Sequence, residues 1–138
     1  MTPERFEELF EASLAKVRHL AVVKGGEYAP GADRLANFKS NADALGLPPE
    51  AVWAIYACKH MDSIRTYVRD LNENKDRVRS EPIEGRFLDL IVYCFLGLGL
   101  LEERGCIVES QAPAPVPPEV KYHYRNTPAP EVAIEIRA

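Results

Sequence analysis

The stretch that decides the fold of this chain is residues 80–103, SEPIEGRFLDLIVYCFLGLGLLEE. It opens with Ser80 and Pro82, which favour a helix start, and then runs apolar on nearly every side over residues 87–101. A helix that is apolar all round is typically buried, so we expect the other helices to pack around it. One charge, Asp89, interrupts the run. A buried carboxylate needs a cationic partner, a proton or a metal ion.

Three other stretches place apolar residues at helical spacing. They predict helices over about residues 3–24, 33–45 and 49–71, with Thr2-Pro3, Asp33 and Pro48-Pro49 at their starts. Gly25-Gly26 and Gly46 are expected to end the first two, and the charged segment 72–79 to separate the third from the last. The sequence therefore predicts an all-α bundle of about four helices, with Gly105 ending the last one.

The composition changes after Gly105. We assign residues 1–105 to the helical domain and 106–138 to a proline-rich linker and tail, since residues 112–118 read APAPVPP. Apolar and polar residues then alternate on both sides of a turn-like segment, which predicts a β-hairpin or an extended tail. An isolated hairpin is marginal in water, so we expect it to dock on the helices or on another subunit, or to stay mobile.

Charge and cysteine content narrow the class of protein. The chain has 138 residues and a net charge of −4, which argues against a nucleic-acid binder that relies on overall positive charge. Its three cysteines have no CxxC spacing, and we expect reduced, buried thiols. The apolar run of the last helix is too short to span a bilayer, so we expect a soluble cytoplasmic protein that does not enter the membrane.

Carboxylates of the last helix form the first candidate site. Oxygen ligands suit Mg²⁺, and Glu81, Glu84 and Asp89 lie along this helix. The alternative is structural, because acidic residues near a helix start are favourable without any function. In that case Asp89 would pair with Arg86 or Lys59.

The third helix and the first loop offer two further candidates. Lys59 and His60 follow each other on a helix whose stripe of aromatic and aliphatic residues includes His60. Lys59 can bind a phosphate. His60 can act as a general acid or base or contact a nucleoside. Alternatively, His60 is a core residue bonded to a backbone carbonyl or to Tyr93. The glycines after Lys24 let backbone N–H groups approach an anion, although the segment does not have the P-loop sequence. Alternatively, it is an ordinary loop between two helices.

Taken in order, these segments resemble phage MazG-like, nucleotide-modification-associated proteins over about residues 3–103. The matching segments are Lys24-Gly-Gly-Glu27-Tyr28, Asn37-Phe38-Lys39, Lys59-His60-Met-Asp62-Ser63-Ile64 and Glu81-Pro-Ile83-Glu84-Gly-Arg86-Phe-Leu-Asp89-Leu-Ile-Val92-Tyr93. The resemblance implies an all-α, usually oligomeric protein of an infected bacterial host. Its catalytic members cleave nucleoside triphosphates to monophosphate and pyrophosphate with Mg²⁺.

Carried over to this chain, the resemblance assigns roles to particular residues. It implies catalytic roles for Asp89, Glu81 and Lys59, and Mg²⁺ ligation by Glu81, Glu84 and Asp89. It implies substrate binding by Lys59, His60, Tyr28, Asn37, Lys39 and Tyr93.

The sequence departs from the family pattern in three places. Its Glu-x-x-Asp, Glu73 to Asp76, falls in a predicted loop, Gly85 stands where some relatives have an acid, and Val92 stands where Asn is usual. The alternative is therefore a non-catalytic accessory protein that binds a nucleotide or a host protein, or an oligomeric assembly protein that uses its tail.

Overall fold

The structure is a computed structural model that describes residues 1–107. Four helices form it: α1 Pro3–Tyr28, α2 Ala36–Leu45, α3 Pro49–Asn72 and α4 Ile83–Glu103. Residues 1–107 contain no strand, so the all-α prediction is confirmed for them. None of these four helices is long and apolar enough to cross a membrane. The predicted tail hairpin lies outside the described residues.

Helices α3 and α4 make the most extensive helix–helix contact of the described residues. Helix α1 also packs against α4, and α2 packs against α3. Lys16 contacts Glu84 and Lys24 contacts Asp89, so α1 and α4 run in the same direction. On the other side, the Trp53 indole N–H donates to the Tyr93 carbonyl at 2.7 Å. His60 of α3 lies beside Asp89, so α3 runs antiparallel to α4.

The apolar core lies where α2, α3 and α4 meet. It consists of five buried residues, with aromatic and aliphatic side chains packed around them: Leu35, Phe38, Ala42, Val52 and Leu100, surrounded by Trp53, Tyr56, Tyr93 and Leu96. Phe38 is 1% exposed, and its ring lies 6.0 Å from that of Tyr56 and 6.2 Å from that of Tyr93. These contacts fix α2 and form one wall of the cavity described below.

The prediction that α4 is buried all round is wrong. Within α4 the buried residues are Asp89, Val92 and Leu100, all on one face. The opposite face is open: Phe87 is 48% exposed and Phe95 57%. Ile91, Leu98 and Leu101 on this face are 37%, 50% and 41% exposed within residues 1–107.

Three helix boundaries also differ from the prediction. Helix α1 continues through Gly25 and Gly26 to Tyr28, and the Ala29 N–H still donates to the Gly25 carbonyl at 3.0 Å. The absent Cβ of Gly25 leaves room for the Arg34 guanidinium, which occupies that position. Packing therefore outweighs the local penalty of two glycines, about 1 kcal/mol each.

Helix α2 begins three residues later than predicted. Asp33 accepts a bond from the Leu35 N–H at 2.8 Å, which shapes the turn before the helix instead of capping it. Helix α4 likewise begins at Ile83, after Pro82. The predicted ends are confirmed: Gly46 and Gly105 have φ of 64° and 69°, and at Gly105 the Cys106 N–H reaches back to the Leu101 carbonyl at 2.9 Å.

The segment between α3 and α4 is held by one buried carboxylate. Asp70 is 2% exposed and accepts hydrogen bonds from Arg77 at 2.7 Å and from Arg79 at 2.8 Å. The hydrogen bonds from Arg77 hold the pKa of Asp70 below its ordinary value. The Arg79 guanidinium also lies over the Tyr67 ring at 5.1 Å. This clamp fixes the connection that leads to Glu81.

The three cysteines are free and exposed. The expectation that they are buried is wrong, because Cys94 lies on the open face of α4, Cys58 lies on an exposed part of α3, and Cys106 follows the end of α4.

Gly97 and Gly99 of α4 give a matched test of the α3–α4 contact. A Cβ at Gly97 would lie 2.7 Å from the Trp53 ring, whereas one at Gly99 would meet Leu35 at an ordinary 3.6 Å. We expect Gly97→Ala to lower the free energy of unfolding by roughly 1–3 kcal/mol through overpacking. Gly99→Ala should leave it unchanged or raise it by up to about 1 kcal/mol, since alanine favours a helix.

Urea unfolding followed by the fluorescence of Trp53, the single tryptophan of the chain, measures both variants. Equal stabilisation by the two substitutions would contradict the close approach of α3 and α4.

Candidate functional site

A cavity of about 830 Å³ opens between the end of α1, the start of α2, and the facing sides of α3 and α4. Its size lies within the range of small-molecule sites, roughly 300–1,000 Å³. Most of the residues that the sequence singles out line it: Tyr28, Asn37, Lys59, His60, Glu81, Asp89 and Tyr93. Residues far apart in the sequence therefore meet at one place.

The last turns of α1 bring Lys24 to the centre of the cavity. The Lys24 ammonium donates to Asp89 Oδ1, and the Asp89 side chain is 4% exposed. This pairing resolves the question that the sequence leaves open, since the cation comes from α1 and not from Arg86 or Lys59. A buried carboxylate without such a partner would strongly destabilise the fold.

His60 faces the other oxygen of the same carboxylate. Its Nδ1 lies 3.3 Å from Asp89 Oδ2, yet it makes no hydrogen bond of good geometry within residues 1–107. Burial lowers the pKa of His60, and the charge of Asp89 opposes this effect only in part. The imidazole is therefore neutral at pH 7, and its Nδ1 is buried against the Asp89 carboxylate.

Aromatic rings form the inner wall. The His60 and Tyr93 rings lie 5.0 Å apart, and Phe38 and Tyr56 continue the wall toward α2. Burial and then the nearby charge of Asp89 raise the pKa of Tyr93. Its hydroxyl therefore stays protonated and can donate a hydrogen bond.

The charge at the cavity is opposite in sign to that of the chain. Four cationic side chains line it, from Lys24, Arg34, Lys59 and Arg86, against the carboxylates of Glu81 and Asp89. Both carboxylates are already paired, Asp89 with Lys24 and Glu81 with Arg86 at 2.6 Å. Arg34 and Lys59 make no ion pair with any residue of 1–107. The cavity thus carries a surplus of positive charge in a chain of net charge −4.

Two predicted site residues lie away from the cavity lining. Lys39 bridges Asp33 at 2.7 Å and Glu103 at 2.8 Å, so it ties the loop before α2 to the end of α4. Glu84 is exposed and pairs with Lys16 at 2.6 Å. Both residues make ion pairs away from the cavity, and their predicted roles stay predictions.

The three carboxylates predicted to bind Mg²⁺ do not converge. Each is paired with a different cation, and the described part of the chain holds no group of three or more acidic, histidine or cysteine side chains that could hold a metal ion. Mg²⁺ requires near-octahedral oxygen ligands. As they stand, Glu81, Glu84 and Asp89 do not fit such an ion, and Mg²⁺ binding stays a prediction.

Sequence reasoning missed several residues of the site. Asn41 and Tyr56 lie one helical turn from Asn37 and His60, and this spacing was a usable signal. No sequence pattern pointed to Arg34, because it lies in the loop between α1 and α2 and its guanidinium packs against Gly25, which is a tertiary contact.

The arrangement suits the binding of an anion that carries an aromatic group. Cations at the mouth can hold phosphate oxygens through charge-assisted hydrogen bonds. The aromatic wall and the asparagine amides can contact a ring with polar edges. Comparisons of the chain with protein-family models, with curated proteins and with solved structures find no match.

The Lys24–Asp89 ion pair can be tested against the exposed pair Lys16–Glu84. We expect Lys24→Met to lower the free energy of unfolding by on the order of 1–3 kcal/mol, because it leaves the Asp89 carboxylate buried without a cation. Lys16→Met should cost less than about 1 kcal/mol, because both partners of that pair are exposed.

Denaturant unfolding of both variants measures the difference, and Lys24→Met/Asp89→Asn should recover part of the loss. Equal losses for the two lysines would show that the buried ion pair does not stabilise the fold.

Proposed function

We propose that this protein binds a nucleotide in the cavity between its four helices, and that its own cations hold the phosphates. The observation that carries the proposal is the excess of cationic over anionic groups around a cavity with an aromatic wall. Since both carboxylates in the cavity are already neutralised by Lys24 and Arg86, Arg34 and Lys59 are free to meet an added anion.

The phosphate end of the ligand is assigned to the mouth of the cavity. Arg34 and Lys59 are exposed there, so they meet an incoming anion before the buried groups do. The planar guanidinium of Arg34 suits bidentate contact with phosphate oxygens, whereas Lys59 acts as a point charge. Arg86 is 20% exposed and lies deeper, where exchange of Glu81 for a phosphate oxygen would bring it into use.

The nucleoside end is assigned to the wall formed by α2, α3 and α4. Tyr56 and Tyr93 present ring surface, and Tyr93 adds a hydroxyl donor. Asn41 donates to the Asn37 carbonyl at 2.7 Å, which orients its amide and leaves its oxygen available. The Asn37 side chain and the His60 ring also line the cavity and complete a set of polar groups that can recognise a base or a sugar.

Mg²⁺-dependent pyrophosphohydrolysis remains the alternative for the same cavity. It rests on the buried Asp89, but it requires that Asp89 leave Lys24 and that further carboxylates approach. Binding without a metal needs no such rearrangement, so the geometry favours it.

Two partner predictions remain proposals: a homo-oligomer and a host protein. The tail that would serve host binding or assembly lies outside residues 1–107.

Titration calorimetry with nucleoside triphosphates, monophosphates and nucleosides, each with Mg²⁺ and with a chelator, tests the proposal. We expect triphosphates to bind most tightly and the chelator to leave binding unchanged. Arg34→Gln and Lys59→Gln should each weaken triphosphate binding by about tenfold, the equivalent of one charge-assisted hydrogen bond at a partly exposed site.

Lys16→Gln is the matched control, because Lys16 lies outside the cavity and should not affect binding. Asp89→Asn should leave binding intact or strengthen it, since it removes a negative charge. The proposal fails if no nucleotide binds, or if Lys16→Gln weakens binding as much as Lys59→Gln does. Mg²⁺-dependent release of pyrophosphate that disappears in Asp89→Asn would establish the hydrolase instead.

A further inference from the structure

The ion pair between Glu81 and Arg86 joins a fixed cation to a more exposed anion. Arg86 Nη2 lies 2.6 Å from Glu81 Oε1, and the Arg86 side chain is 20% exposed against 39% for Glu81. Arg86 belongs to the first turn of α4, whereas Glu81 lies in the non-helical connection that precedes it. Glu81 Oε2 lies 3.4 Å from the position that a Cβ at Gly85 would take, so the carboxylate lies over this first turn. A rotation of the Glu81 side chain alone would release Arg86.

The Glu81 carboxylate occupies a position where a bound anion would compete with it. Glu81 and Arg86 both line the main cavity. Burial lowers the pKa of His60, and the charges of Lys59, Arg86 and Lys24 lower it further, so these three cations lie around one buried group. An anion that enters the cavity therefore meets Arg86 as well as the other cations, and Glu81 is the group that it must replace there.

A second cavity adjoins the first at this ion pair. Its volume is about 380 Å³, and Glu81 and Arg86 line both cavities. The hydroxyl-bearing residues Ser63 and Thr66 of α3 also line the second cavity. A Glu81 side chain that leaves Arg86 therefore has a polar space beside it and need not enter the apolar core.

The second cavity also supplies positive charge to a displaced carboxylate. Arg77 and Arg79 line it, and both pair with the single buried carboxylate of Asp70. Two positive charges there meet one negative charge. The other acidic residue of this lining, Asp62, already pairs with Arg65. Glu81 can thus exchange one arginine for another, which lowers the free-energy cost of releasing Arg86.

We propose that Glu81 is a displaceable counter-ion, which a terminal phosphate of the ligand replaces on Arg86; the inference rests on the nucleotide binding proposed above. Arg34 and Lys59 hold the first phosphates at the mouth, and a longer phosphate chain continues to Arg86. A phosphate group replaces the carboxylate there because it offers several charged oxygens to the guanidinium. A nucleoside has no phosphate to reach Arg86, so it leaves the ion pair intact. Glu81 thereby sets the affinity for ligands with a long phosphate chain.

Titration calorimetry of Glu81→Gln, in the presence of a chelator, tests this role. We expect nucleoside triphosphates and inorganic tripolyphosphate to bind about tenfold more tightly than to the wild type, because the neutral amide does not compete for Arg86. Nucleosides should bind with unchanged affinity. The matched control is Glu50→Gln, which removes the same charge from a glutamate that pairs with Arg104 and does not line the main cavity. It should leave every affinity unchanged.

A double-mutant cycle tests whether Glu81 acts through Arg86. Because the two side chains are in direct contact, their effects on binding should not add. We expect Glu81→Gln to have no effect on triphosphate binding once Arg86 is replaced by Gln, with circular dichroism confirming that the variants fold. If Arg86→Gln does not fold, the comparison of Glu81→Gln with Glu50→Gln decides the proposal by itself.

The outcomes separate this inference from the proposed function. Triphosphate binding that Glu81→Gln leaves unchanged or weakens, or that Glu50→Gln tightens equally, overturns the role of Glu81 while nucleotide binding by the wild type stands. Weakening by Glu81→Gln only when Mg²⁺ is present would make Glu81 a metal ligand and likewise overturn it. Binding by Glu81→Gln but not by the wild type supports the inference in its strongest form. If neither protein binds any phosphate ligand, both proposals fail together.

Discussion

The ion pair between Lys24 and Asp89 is the interaction on which the site depends. A carboxylate that is 3% exposed in an otherwise apolar helix requires a cation, and α1 supplies it. Because Lys24 pairs with Asp89, the register of α1 on α4 is fixed. Helix α1 also continues through two glycines. This extension carries Tyr28 to the wall of the cavity and brings Gly25 against Arg34.

The same ion pair sets the chemistry of the cavity. With Asp89 neutralised by Lys24, and Glu81 by Arg86, the remaining cations are not balanced by carboxylates of residues 1–107. An acidic chain thereby has a cationic cavity. The electrostatic potential at a site depends mainly on the charged side chains beside it, because more distant charges are screened. The structure supports anion binding more directly than it supports metal chemistry.

The two faces of helix α4 have different environments. Its inner face carries Asp89 and Tyr93 toward the cavity, while the outer face presents Phe87 and Phe95 to the solvent. The helix is apolar all round, although only one face of it is buried within residues 1–107. An apolar sequence pattern predicts that a side chain will be buried, but it does not predict which surface buries it.

The sequence by itself determined the four helices, the helix ends at Gly46 and Gly105 and the importance of Asp89, because helical spacing and an isolated charge are local signals. It also pointed to seven of the residues that line the cavity, Tyr28, Asn37, Lys59, His60, Glu81, Asp89 and Tyr93. Tertiary structure alone decided that Lys24 is the partner of Asp89, that Arg34 enters the site and that Glu84 and Lys39 do not. Those outcomes depend on which side chains meet across helices, and neither periodicity nor propensity specifies such long-range contacts.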